Sequence, residues 1–386
     1  MIGKAECFEA MAYVDERYAY GSCMDKNMLC RIDRHTGLCE YVTIFPDENI
    51  YEERLHMKAV VVGDNIVFSP AAAKNIAIYN YLTGVFMMIP VEEEKTINVN
   101  YRCKMKYGEV VVCGKFVYVI PATCLSIIKI DIEKQEIVKT IRLNIKQKYI
   151  FRKDGLIRNN ILFLPSSNSN VVIELNMLTD DTRVHKVGDN NNGSWSICDD
   201  GETLWLVPFV PGAVVRWNPD TDEIWEYDEY PMGLKYTNMI FIRGVYKNGI
   251  VYAIPSSANM VVAIEIKTGE MSCYKRCDEN SDGLVAYMGT YDGSVFLLKC
   301  KSWKEWVHRK DNRLFEWIVE SNEVKEVVYC LDDNKNKYIY DALIGANGII
   351  KEKTIELKRF VEYISGSAAE RKEYKDDTDN KVGKII

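Results

Sequence analysis

Residues 194–208 read SWSICDDGETLWLVP. Two short strands flank an Asp-Asp-Gly-Glu turn, and glycine beside aspartate supplies the positive φ that a tight hairpin needs. Pro208 closes the second strand, where its missing N–H removes a ladder donor and suits a strand end. Counting back fourteen residues from such a proline finds the same outline at 7–21, 56–70, 107–121, 151–165, 194–208, 241–255 and 285–299. Five of these segments end in proline, the first in Gly21 and the last in Lys299. Their starts lie 43 to 51 residues apart, the period expected of four-stranded propeller blades.

Each segment is followed by a third apolar strand, as at 76–79, 127–130, 171–175, 214–217 and 261–266. A second turn comes next: Thr36-Gly37, Thr83-Gly84, Thr179-Asp180, Thr221-Asp222 and Thr268-Gly269. An outermost strand ends the unit, for example Ile224-Trp225-Glu226-Tyr227. Four hairpin-connected strands per period suit a blade and not a βαβ unit. One such sheet cannot bury both its faces, so the repeats must stack. The expected fold is all-β, a seven-bladed β-propeller over 1–320 with a C-terminal extension over 321–386. An eight-bladed ring and an open sandwich are the alternative arrangements of the same strands. In the extension, 324–329 and 337–340 read as edge or closing strands. Residues 355–364 (IELKRFVEYI) carry Leu357, Phe360, Val361 and Ile364 at helical spacing, and 365–384 reads as a polar, mobile tail.

Composition narrows the function classes. The chain is 47% hydrophobic and 11% aromatic, enough for a substantial core, and its net charge is −7. No run of Lys and Arg reaches five, which argues against a nucleic-acid partner. The N-terminal stretch has no apolar h-region, and no window approaches eighteen uninterrupted apolar residues. Neither secretion nor a membrane span is expected, and the expected location is cytoplasmic. The twelve cysteines then read as reduced, small buried hydrophobes.

Residues 199–231, DDGETLWLVPFVPGAVVRWNPDTDEIWEYDEYP, resemble the repeat of virginiamycin B lyase-like seven-bladed propellers. Asp200-Gly201, Leu204-Trp205, Gly212, Arg216, Pro219 and Thr221 take the places of that repeat. The resemblance implies the propeller fold and, for the lyases of the group, a histidine, an acid and a divalent metal at the central opening. This chain has only His35, His56, His185 and His308. In the repeat register His35 falls near an outer turn, His185 and His308 on outer strands, and only His56 begins an inner strand. The lyase constellation therefore has no counterpart here, and fold analogy does not carry the activity across.

Two sets of residues invite chemistry. The third position of the inner strands reads Glu9, Lys58, Glu109, Lys153, Ser196, Arg243 and Tyr287. In a propeller this column rings the channel, either as register-fixing ion pairs or as a channel-mouth site with Glu9 or Glu109 as acid, base or ligand. The loops entering inner strands carry Arg54, Tyr101, Arg102, Arg152, Trp195 and Tyr236, with His56 at a strand start. Arg, Tyr and Trp are the types enriched at interaction hot spots. Asp131, Asp180, Asp220 and Asp222 fall near outer turns, where carboxylates accept backbone N–H bonds. Cys273 and Cys277 lack the second pair a zinc site needs. Trp303, Trp306 and Trp317 cluster in the seventh repeat, as packing or as a stacking surface for a sugar or peptide. No nucleotide, cofactor or nucleophile motif is present, so no cofactor and no metal site are expected. The favoured expectation is a non-catalytic scaffold binding a protein or peptide through its loop face. The alternative is a virginiamycin B lyase-like or hydrolase propeller acting on a small polar or sugar-like substrate, and a carbohydrate-recognition module is a third reading.

Overall fold

The computed structural model describes residues 8–49, 52–91, 105–143, 145, 151, 155–188, 193–237, 239–276, 284–291, 294–300, 313–318, 321, 323–328 and 330–331. The helix expected over 355–364, the tail, Trp303, Trp306 and His308 lie outside these residues. Among the described residues the regular elements are all β-strands, forming seven sheets, each built on four antiparallel strands consecutive in the chain. Their first strands are Phe8–Tyr13, His56–Val62, Tyr107–Cys113, Leu156–Arg158, Ser194–Asp199, Phe241–Lys247 and Leu284–Tyr291, and the sheets are numbered 1 to 7 in that order. Burial falls off outward. Second strands such as Asn65–Pro70, Phe116–Pro121 and Ile250–Pro255 are buried after their first residue, which is why they run apolar without alternation. The outer strand Glu136–Arg142 is exposed along most of its length.

The outer turns share one construction. Asp33, Asn80, Asp131, Asn176 and Asn218 each accept, on a side-chain oxygen, the N–H groups two and three residues ahead. The residue four ahead donates its N–H to their carbonyl at 2.7–2.8 Å. That residue is Gly37, Gly84, Gln135, Asp180 or Asp222, and its φ lies between +57° and +73°. The turn ends in a left-handed residue, which is why glycine or aspartate follows threonine at four of these places, while Gln135 follows Lys134 at the fifth. Asp131 thus accepts backbone N–H bonds as its position predicts. Asp180 instead accepts Lys129 and Lys139 at 2.9 and 3.0 Å, Asp222 accepts Trp217 Nε1 at 3.1 Å, and Asp220 faces Arg158 at 3.8 Å.

Two segments depart from the expected register. In sheet 1, Phe8 pairs with Cys23, so Cys23 and not Gly21 stands where later sheets have proline. The reason is local: Asp15 Oδ1 accepts the N–H groups of Arg17 and Tyr18 and builds a wider hairpin than the two-residue turn at Asn248-Gly249. Glu9 therefore sits one place earlier than Ser196 or Arg243. In sheet 4 the regular first strand shrinks to Leu156–Arg158, although Phe151 keeps a bridge to Ser166.

Successive sheets are latched at one end. The residue just after each second strand, namely Met24, Ala71, Ala122, Ser166 and Phe209, accepts on its carbonyl an N–H from the entry to the next sheet. The donors are Arg54, Lys106, Phe151, Ser194 and Ile240. Beyond sheet 7, whose outer strand is Glu323–Val327, Cys330–Leu331 adds a fifth strand to sheet 1, parallel to Leu38 and Cys39. The chain divides into two compact units, Met1–Phe68 with Ala72–Pro90 and Val328–Ile386, and Ser69–Ala71 with Val91–Val327. The core shared by sheets 1 and 2 includes Phe45, Leu55, Phe68 and Tyr79. In the second unit Trp205, Phe241 and Met260 anchor one cluster and Trp217 another.

Candidate functional site

Antiparallel pairing places the start of each first strand beside the end of the second, as in Ser194 with Pro208 and Phe241 with Pro255. The loop entering a sheet and the loop leaving its second strand therefore share one end. Arg54, Trp195 and Tyr236 belong to that end. Tyr101, Arg102, Arg152 and Lys153 lie outside the described residues.

A bulge recurs at this end, where pairing skips Glu9 in sheet 1, Trp195 in sheet 5 and Ile242 in sheet 6. A bulge re-aims the side chain it carries. Trp195 lies flat on Phe209, ring centroids 3.7 Å apart and planes 5° from parallel. In the first unit, Glu9 accepts Arg54 Nε and Nη2 at 3.1 and 2.9 Å. This pair is nearly enclosed, with side-chain exposures of 2% for Glu9 and 15% for Arg54. Arg54 holds φ +55°, a conformation costing on the order of 1 kcal/mol for a non-glycine residue. Its N–H donates to Met24 and its carbonyl accepts Ala72, which fixes that backbone. In the same unit Lys26 Nζ lies 3.2 Å from Asp25 Oδ1.

The remaining predicted residues are dispersed. His56 is fully buried, its ring 4.1 Å from that of Phe45 and 5.4 Å from that of Phe68. Its Nδ1 lies 3.2 Å from Ser22 Oγ and its Nε2 has no partner. Burial pushes its pKa down to about 3, so it is a neutral core group and not part of a binding face. Lys58 is half-buried on its strand, and Glu109 is buried, its Oε1 accepting Val110 N–H at 2.9 Å. Ser196 Oγ accepts Gly244 N–H at 2.9 Å, tying sheet 5 to sheet 6. Arg243 is half-buried. Tyr287 lies in Leu284–Tyr291, its side chain outside the described residues. His185 Nε2 is 2.8 Å from Glu174 Oε2 on outer strands.

The residues of the lyase-like repeat build a hairpin. Asp200 accepts Glu202 N–H, Thr203 N–H and Oγ1, and Trp205 Nε1, at 2.6–2.9 Å. Burial raises its pKa, but these donors outweigh it and hold the carboxyl below the usual range. Arg216 donates Nε to Thr203 Oγ1 at 2.9 Å and stands over the rings of Trp205 and Trp225. Among the described residues no three His, Cys, Asp or Glu side chains gather as a metal cage.

Sequence reading passed over Phe209, Met232, Ser257 and Asn259, which complete the loop end of sheets 5 and 6. The loop before Phe241 turns at residues 231–234, with Leu234 N–H donating to Pro231 at 3.2 Å and Gly233 at φ +85°. Its signal was the apolar Met232 beside glycine in Pro231-Met232-Gly233, a pattern with turn chemistry.

Among the described residues, six four-stranded antiparallel sheets of neighbouring strands, with sheet 1 carrying a parallel fifth strand on the same plan, fit a β-propeller. Solved structures agree. The chain is similar to a streptogramin B lyase structure, with TM-score 0.55 and 17% identity over 76% of this chain and 90% of that one. It is also similar to a catalytically inactive virginiamycin B lyase from Staphylococcus aureus with quinupristin, with TM-score 0.58 and 14% identity over 76% and 92%. The structure described as U3-55K matches with TM-score 0.53 and 10% identity over 77% and 89%. At these identities the likeness is one of fold. No protein-family model and no curated protein matches the chain.

Proposed function

We propose that this propeller is a non-catalytic scaffold that binds a protein or peptide partner through the loop end of its sheets. One observation carries the reading. In the second unit that end holds Trp195, stacked on Phe209 and packed against the cluster of Ile242 and Ile254, and Tyr236, 43% exposed, on the loop entering sheet 6. Large rigid aromatics supply contact area at low entropic cost and dominate interface energetics. The acids that a channel-mouth reaction would use are engaged elsewhere, Glu9 with Arg54 and Glu109 with Val110 N–H.

The test is selection of a phage-displayed library of random dodecapeptides on the full chain. Clones that bind the wild type and lose about tenfold or more in affinity for Trp195→Ala/Tyr236→Ala, at unchanged hydrogen-exchange protection in sheets 5 and 6, support the reading. Clones indifferent to both substitutions, or no clones above a naked-support control, overturn it.

A further inference from the structure

Sheet 1 carries a fifth strand that the other six sheets lack among the described residues. The strand is Cys330–Leu331, a few residues past Glu323–Val327, and it runs parallel to Leu38 and Cys39. An open sheet edge is a template for further pairing, and folds blunt it by covering it or by a bulge. Sheet 1 uses both. Its outer strand Leu38–Thr43 bulges at Val42, which is skipped between the Leu29–Thr43 and Cys30–Tyr41 pairs. The added strand covers the stretch before that bulge.

The added strand is closely seated. Cys330 N–H donates to Gly37 O at 2.9 Å. Cys330 is 5% exposed, and Cys39, opposite Leu331, is fully buried. Gly37 holds φ +73°, and a Cβ built on it would run into the Val328 carbonyl oxygen. Gly84 takes the same turn position in sheet 2 at the same φ, yet a Cβ there would meet nothing nearer than Tyr79 Oη at 3.8 Å. Glycine at 37 is therefore needed twice, by its own backbone and by the chain passing over it, and glycine at 84 only once.

The seat is also short. The ladder is two residues long and parallel, a pairing slightly weaker per residue than the antiparallel kind, and Val328 and Leu38 stay exposed. A unit so small can open without unfolding the four strands it covers. We propose that Val328, Cys330 and Leu331 form a releasable strap on the outer edge of sheet 1. Seated, it closes that edge; released, it bares the backbone at Leu38 and Cys39 together with the Cys330 thiol. Residues beyond 327 thereby control the pairing of an edge strand in sheet 1. The strap acts at an outer edge and does not rest on the loop-end reading above.

The test is pulse alkylation of the folded full chain with N-ethylmaleimide. Each thiol is followed by mass spectrometry and its rate divided by that in the urea-unfolded chain. Cys273 is exposed and reports free access, and Cys30 is fully buried in sheet 1 and reports opening of the sheet itself. Cys330 should react more slowly than Cys273 and about tenfold or more faster than Cys30. Gly37→Ala should speed Cys330 by about tenfold or more, whereas Gly84→Ala, with the same φ strain and no collision, should leave it within about twofold. Cys330 reacting no faster than Cys30 in the wild type would mean that the strap opens only with its sheet, and overturns the proposal. Cys330 reacting as fast as Cys273 would mean that the strap is never seated, and overturns it too, as does Gly37→Ala with no more effect than Gly84→Ala. Cys330→Pro removes the N–H donor and leaves the turn untouched, which covers the case where Gly37→Ala does not fold. Hydrogen exchange of peptides covering 38–43 should then gain about one fast amide while 204–217 keeps wild-type protection; unchanged exchange at 38–43 overturns the strap.

Discussion

His56 makes the stability of the first unit depend on pH in a way that can be worked out. The imidazole is fully buried among Phe45 and Phe68, with Nε2 unpartnered, so its pKa falls from the ordinary 6.5 to about 3. A base whose folded pKa is depressed is protonated first in the unfolded chain. Stability is then complete above pH 6.5 and declines as pH falls toward the folded value. Between pH 7 and pH 5 the folded group stays neutral while the unfolded one takes up most of a proton. The loss is about 2 kcal/mol, or about 25-fold in the opening constant. The figure is insensitive to the folded pKa so long as that stays well below 5. The perturbation is Ser22→Ala/His56→Phe, which removes the titrating ring together with the hydroxyl that faces it. The assay is hydrogen exchange of peptides covering 56–70 at pH 7 and pH 5, corrected for intrinsic rates. Wild type should lose about 2 kcal/mol more than the double variant between the two pH values. Equal losses would mean that water or a counter-charge reaches Nε2, and the burial argument would fail.

Arg54→Met should cost about 3 kcal/mol or more by urea denaturation, because it removes the two guanidinium donors that face the buried Glu9 carboxylate; Glu9→Leu beside it should restore much of that loss. Asp200→Ala should cost about 2–3 kcal/mol and speed exchange across 204–217, since the buried Trp205 Nε1 loses its acceptor. Asp33, Asp131, Asp180 and Asp200 all titrate below the usual carboxylate range. The stability they contribute is present above pH 4 and should vanish as pH falls through their lowered values, so a guanidinium midpoint that stays flat from pH 5 to pH 2 would contradict the assignment. Gly193→Ala should cost about 1–3 kcal/mol by thermal melting, because a Cβ there overlaps the backbone of Ser166, Ser167 and Asn168.

What the sequence determined by itself was everything that local chemistry controls. The period, the proline at strand ends and the Thr-Gly or Thr-Asp turns each depend on φ preferences and hydrogen bonds within a few residues, so the repeat and its inner hairpins were readable from the sequence; 323–327, read as part of the C-terminal extension, is instead the outer strand of sheet 7, and the fifth strand of sheet 1 at 330–331 was not read. The register of sheet 1 slipped by one because Asp15 caps a wider hairpin that lacks the Asn-Gly signature. Tertiary structure alone decided which side chains meet. Glu9 and Arg54 are 45 residues apart in the chain, and Trp195, unpaired in the ladder at a bulge, meets both Phe209 and the core cluster of Ile242 and Ile254. His56 looked like an inner-strand polar residue and proved to be core, since Phe68 from the neighbouring strand and Phe45 from the loop before sheet 2 wall it in. Pairings across sheets are set by where the latches hold successive strands, and no spacing within one repeat encodes that distance.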